Sequence, residues 1–216
     1  MWQSGDRERR GSGFARFWLH AQPAARKVGK REAAAGRLEP VNLKRFHPIE
    51  AEDGPAEYVY FPVDCVVSLV KTMRDGNSVE IATIGNEGVT GTSLVLRSTI
   101  PIGRMFVQVP GRAYRLRSAA FADHLASSPE AHDWLERYAC ALIGQIVQSA
   151  ACNQLHSAAE HCARWLLTMR DRRGSSAFAL THELISQMLG VRRATVTEIA
   201  QRLKHQGAIA YRRGGG

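Results

Sequence analysis

The stretch SQMLGVRRATVTEIAQRL, Ser186 to Leu203, places Arg192 and Arg193 just behind Gly190, at the start of a helix with apolar residues at helical spacing. A cation at a helix amino terminus opposes the helix dipole. The two arginines therefore either point into water or face something negative. Reading Gly190 as the turn between two helices favours the second answer. Ile185, five residues before it, then faces a core, and Ser186 is small where two helices touch. Val196 and Ile199 bury the second helix, and Leu203 continues that face. Two helices joined by a short glycine turn form a unit that reads DNA. The second helix starts near Arg192, and its first turn carries Arg192, Arg193, Thr195 and Thr197, side chains able to reach base edges and phosphates.

Upstream, the helical pattern continues. Thr181 can cap HELISQMLG, Ser157-Ala-Ala-Glu160 has the form of a capping box for HCARWLLTMRDRR, and Gly174 closes that helix. SSAFAL, 175–180, is expected as a short strand. Before these comes SSPEAHDWLERYACALIGQIVQSAACNQL, with Ser128 as cap, Pro129 in the first position and Glu130 at the positive end. Leu135, Tyr138, Leu142, Ile143, Ile146, Val147 and Ala150 give this helix a broad apolar face, wide enough to cover a barrel on one side and a partner helix on the other. Asn153 to His156 is the expected hinge.

From about Leu38 the pattern is β. YVYFP (58–62), VVSLVKTM (66–73), SVEIATI (78–84), RMFVQV (104–109) and AYRLR (113–117) are short strands rich in Val, Ile and Tyr. Asp75-Gly76 predicts a type I′ hairpin, GNEGVTG (85–91) a glycine-rich turn, and Pro110-Gly111 a break. Such spacing predicts an antiparallel barrel or jelly roll. Residues 1–36 show no clear periodicity and are expected as a poorly defined basic segment.

Charge divides the chain. Residues 1–45 hold 11 Lys/Arg against 4 Asp/Glu, residues 46–163 hold 8 against 13, and residues 164–216 hold 10 against 3. A basic carboxy-terminal block behind an acidic middle fits a polyanion partner for that block. Four scattered cysteines without a CxxC indicate neither a disulfide framework nor a zinc ribbon, and a reducing cytoplasm fits them. Cys152 and His156, with His161 and Cys162 nearby, match no standard metal site. No apolar run approaches the length of a membrane span. A cupin-type enzyme needs histidines in its barrel strands, and none lies between His47 and His124. GxSxG, HExxH and P-loop patterns are absent as well, so no catalytic residues, metal or cofactor are expected.

LTHELISQMLGVRRATVTEIAQRLKHQGAIAYRRG resembles the winged helix-turn-helix of the Crp/Fnr transcription regulators. YVYFPVDCVVSLVKTMRDGNSVEIATIGNEGVTG is similar to their amino-terminal barrel, and HCARWLLTMRDR to the first helix of their DNA-binding domain. The resemblance covers about residues 38–213. It implies a cyclic-nucleotide-binding-like jelly roll, a long dimer helix and a winged helix on a palindromic operator. It puts Arg193 at the base-reading arginine, Thr195 and Thr181 on phosphate contacts, and Arg192 and His182 beside them, with Arg212 and Arg213 on the wing. Ala194 stands where relatives of the cyclic-AMP type have a glutamate, and Glu198 where they have a second arginine, so a different operator is expected. The nucleotide cassette departs further. The residue after its glycine is Val89 or Thr92, depending on register, and Arg104 is followed by Met105, so no cyclic-AMP binding is expected.

Together these readings predict an α+β chain with four parts: the basic segment 1–36, an effector barrel 37–127, a dimerisation helix and hinge 128–155, and a winged helix-turn-helix 156–216. The barrel's candidate effector residues are Glu87, Gly88, Gly91 and Arg104. The candidate dimer contacts are Leu135, Tyr138, Leu142 and Ile146. The expected function is a cytoplasmic homodimeric regulator bound to an inverted repeat of double-stranded DNA, with RNA polymerase and an unknown small-molecule effector as partners. Because AYRRGGG stops short of a second wing strand, the wing is expected to be truncated. That leaves an effector-binding module without DNA activity as the alternative, which the intact GVRRATVTEI helix opposes.

Overall fold

The computed structural model describes residues 38–210 apart from 52, 53, 55, 77, 99 and 178. The basic segment expected over 1–36 and the wing residues Arg212 and Arg213 lie outside the described residues.

The strands are β1 (Glu39–Leu43), β2 (Pro48–Glu50), β3 (Tyr58–Pro62), β4 (Val66–Thr72), β5 (Ser78–Ile84), β6 (Arg104–Val109) and β7 (Gly111–Arg117). They form two antiparallel sheets of order β1-β7-β3 and β2-β6-β4-β5. The expected barrel is therefore not closed: among the described residues no ladder joins the sheets. The chain changes sheet at corners. Pro110, which has no N–H to donate, separates β6 from β7, and the turn after β3 is tied by the Arg112 carbonyl accepting the Val63 N–H at 2.9 Å. Leu43, Tyr60, Val67, Leu69, Ile84, Met105 and Val107 fill the space between the sheets.

Every residue of VVSLV, 66–70, is buried, which fits a strand covered on both faces. Val67 and Leu69 face the opposite sheet, while Val66 and Val70, with Phe106 and Val109, face a second layer of helices. The β4–β5 hairpin departs from the type I′ expectation. Its last strand pair is Thr72 with Ser78, the Gly76 N–H donates to the Met73 carbonyl at 3.0 Å, and Gly76 (φ 85°) has the positive φ that Asp75 lacks.

The helices are α1 (Thr92–Val95), α2 (Ser118–Ser127), α3 (Pro129–Leu155), α4 (Ala158–Arg173), α5 (His182–Leu189) and α6 (Arg193–His205). Their ends follow local chemistry. The Ser128 side chain accepts from the Ala131 N–H with Pro129 behind it, the Ser157–Glu160 capping box is complete, and Gly174 closes α4 in the left-handed region. Helix α3 runs on through Leu155, so the break before α4 is confined to His156 and Ser157 instead of starting at Asn153. The described residues of 175–180 form no strand, and two of their polar groups are spent on a local bond between Ser175 and Ala177. Helices α1 and α2 have no counterpart among the expected elements. Phe121 and Leu125 of α2 pack with Val59, Phe61, Leu135 and Tyr138 in the core beneath α3.

Candidate nucleic-acid interface

Helices α5 and α6 meet across Gly190, whose φ of 65° is the left-handed conformation that side chains resist. The turn is closed by the Val191 N–H donating to the Ser186 carbonyl at 3.1 Å. Thr181 caps α5 by accepting the Leu184 N–H at 3.1 Å. Ile185 and Ser186 are buried against α6, whose Val196, Ile199 and Ala200 are buried in turn. The helix pair is thus held by the residues the sequence pattern assigns to it.

The opposite face of α6 is open. Arg192, Arg193, Ala194 and Glu198 are exposed, and Thr195 is half-buried. Arg192 occupies the cap position without a side-chain cap, and the first turn of α6 holds no acidic residue. Among the described residues neither arginine has an ion-pair partner, so two guanidinium groups and the free N–H groups of a helix end face solvent together. That combination suits a phosphate or a base edge. Thr197 and His182 meet each other at the helix junction. The His182 Nδ1 lies 3.1 Å from Thr197 Oγ1, which also donates to the Arg193 carbonyl, so the pair pins α5 to α6. Arg202 and Lys204 add charge at the last turn of α6, beside His205.

The four candidate effector residues do not converge. Glu87 is buried and its Oε1 lies 2.7 Å from Arg172 Nε on α4. Gly88 packs against the Tyr138 ring, and Gly91 against Val59 as the cap of α1. Arg104 is exposed beside Phe106, its guanidinium carbon 5.4 Å from the ring centre, and pairs in register with Val70, while β5 leaves the sheet beside Val67. Glu87 thus already has a cation within its own chain.

The candidate dimer contacts are also redistributed. Leu135, Tyr138 and Leu142 are buried in the chain's own cores, and Ile146 is half-buried against the same sheets. Cys140, Ile143, Val147, Ala150, Ala151 and Leu155 are among the apolar residues of α3 that face outward.

Sequence reasoning missed a polar cleft between the sheets and α4. Glu80 on β5 accepts from Ser68 Oγ at 2.7 Å, Gln108 Nε2 at 3.1 Å and Trp165 Nε1 at 2.7 Å. Burial of this carboxyl outweighs those donors and the nearby Arg172 charge, and pushes its pKa up to about 7. Thr83, Gln145, Ser149, His161, Arg164 and Thr168 complete the lining. The sequence signal was the lone acidic residue in the apolar SVEIATI strand. Among the described residues no group of three or more His, Cys, Asp or Glu could hold a metal ion.

Residues 160–216 match the family of Crp-like helix-turn-helix domains. No curated protein matches the chain in sequence. Solved structures do match in fold. FixK2 from Bradyrhizobium japonicum is 20% identical with a TM-score of 0.69, over 82% of this chain and 89% of its own. TTHB099, a transcriptional regulator of the CRP family from Thermus thermophilus, is 17% identical with a TM-score of 0.65, over 80% and 88%. The c-di-GMP responsive global regulator CLP of Xanthomonas campestris is 12% identical with a TM-score of 0.63, over 86% and 95%.

Proposed function

Since its carboxy-terminal domain belongs to the Crp-like helix-turn-helix family and its described fold is that of the Crp/Fnr regulators, we propose that the chain is a homodimeric, sequence-specific double-stranded DNA regulator of transcription and not an enzyme. The observation that carries this reading is the exposed first turn of α6. Arg192, Arg193 and Thr195 stand at an open helix amino terminus, behind a turn that only Gly190 makes without strain.

The dimer would form along α3. Cys140, Ile143, Val147, Ala150 and Gln154 are exposed and spaced alternately by three and four residues, the pattern of a two-stranded seam. Such a dimer presents two copies of α6 about one DNA turn apart, roughly 34–36 Å, and prefers an inverted repeat. The working partners are then duplex DNA and RNA polymerase in the cytoplasm. An effector, where one acts, would have to compete with Arg172 for the Glu87 carboxylate.

Selection of bound sites from a random duplex pool tests this directly, followed by Arg193→Ala on the selected duplex and on a scrambled one. Loss of a bidentate guanine contact should cost about 1–3 kcal/mol at one base position per half-site and little on the scrambled duplex. Equal loss on both would make Arg193 a phosphate anchor, and failure to select any sequence would defeat the proposal.

A further inference from the structure

Helix α4 opens the DNA-binding domain, yet its side chains are held by the sheets and by the loop and helix beside them. Trp165 donates its indole N–H to Glu80. Seven residues on, two helical turns along the same face, Arg172 is only 5% exposed. Its Nε lies 2.7 Å from Glu87 Oε1, and its Nη2 donates to Gln145 Oε1 on α3 at 2.8 Å. Glu87 Oε1 also accepts the Gly85 N–H at 3.0 Å, which draws the 85–91 loop around the guanidinium. The fit leaves no slack: a Cβ on Gly85 would stand 2.5 Å from Arg172 Cβ. Three elements that are distant in sequence therefore meet at one buried charge.

Taking both charges out of water is costly, and apolar side chains of similar volume often stabilise a fold as well or better. What an ion pair in such a place supplies is a single geometry, since sliding α4 along the sheet would strand two ions. The reading residues Arg192 and Arg193 face solvent while the pair is closed, so the docked arrangement leaves the DNA surface free.

We infer that Glu87, Arg172 and Gln145 form an interdomain clasp that fixes the angle of the helix-turn-helix on the sheets, and so sets the half-site spacing the dimer accepts. The inference rests on the DNA-binding reading above. Because the clasp lies in the 85–91 loop, any ligand that displaced this loop would act on α4 through Arg172. Ordering the reading helices in advance removes a cost that binding would otherwise meet.

The test uses the full chain, as Arg172→Met and as the double variant Glu87→Gln/Arg172→Met, which leaves no unpaired ion. Each is compared with wild type on the duplex that wild type selects and on the same duplex with its half-sites moved two base pairs apart. Amide hydrogen exchange is followed over α4, β5 and the 85–91 loop. The double variant should keep its helix content, exchange faster in those three segments, and lose about tenfold of the discrimination between spacings, equivalent to about 1.4 kcal/mol. Unchanged exchange overturns the inference. Faster exchange with full discrimination also overturns it, since the pair would then be a structural contact without a positioning role. If wild type selects no duplex, the DNA-binding reading falls by itself, and exchange alone decides whether the clasp holds the domains together.

Discussion

Glu80 concentrates the energetics of one residue. It is half-buried as a whole, but its carboxyl is enclosed by Ser68, Gln108 and Trp165, and burial raises its pKa from 4.5 to about 7. A raised folded-state pKa means that the folded chain holds the proton more tightly than the unfolded one. The stability linked to Glu80 is thus fully present below about pH 4.5 and lost as pH rises through about 7. Glu80→Gln keeps an oxygen for Trp165, and a flip of the Gln108 amide would turn its unpartnered Oε1 toward the new NH2 group. The variant should gain on wild type between pH 5 and 8, by at most ~3 kcal/mol at the alkaline end. Urea denaturation of both proteins across that range measures the difference, and a constant difference would show that Glu80 does not titrate there. The strand SVEIATI gave notice of this residue by its single acid, but the three donors that meet it come from β4, β6 and α4 and leave no mark near position 80.

At the scale of elements, legibility follows the range of the interaction. Ser128, the Ser157–Glu160 box, Gly174, Thr181 and Gly190 were readable because each acts on backbone within a few residues of itself. The same locality explains why β3, β5 and β6 begin and end where their apolar runs do. The role of each arc of α3 was not readable, because an apolar face does not say whether a sheet or another chain will cover it. Here the arc through Leu135, Tyr138 and Leu142 covers the chain's own cores, and the arc through Ile143 and Val147 stays 49% and 62% exposed. Two lysine substitutions should therefore behave differently. Val147→Lys should fold with unchanged stability and sediment as a monomer. Leu142→Lys would bury an unpaired ion and should destabilise the fold by several kcal/mol. A dimeric Val147→Lys protein would put the seam elsewhere.

Across the whole molecule, no boundary separates a sheet core from a helix-turn-helix core. Val66, Val70, Phe106 and Val109 belong to one apolar cluster with Trp165, Met169, Leu184, Ile185, Met188 and Val196. The acidic middle of the chain thus carries its basic end, and the Glu87–Arg172 pair is the point where the two charges meet out of water. The apolar part of this interface is indifferent to small rotations, since burial is not directional. The ion pair is not indifferent, and its energetics should show that in a double-mutant cycle. Glu87→Gln leaves Arg172 buried without its carboxylate and should cost about 3–5 kcal/mol, the penalty of an uncompensated buried charge. Adding Arg172→Met to it should recover most of that loss, because the charge and its desolvation cost disappear together. Arg172→Met alone strands the Glu87 carboxylate in the same way, so the two single losses should exceed the double loss by several kcal/mol, at or above the top of the roughly 0.5–3 kcal/mol range for contacting residues. Urea unfolding of the four proteins, followed by circular dichroism, measures all four corners of the cycle. If the single losses simply add, the two side chains do not share an interaction in solution, and α4 is held on the sheets by the apolar cluster, Trp165 and Arg173 without them.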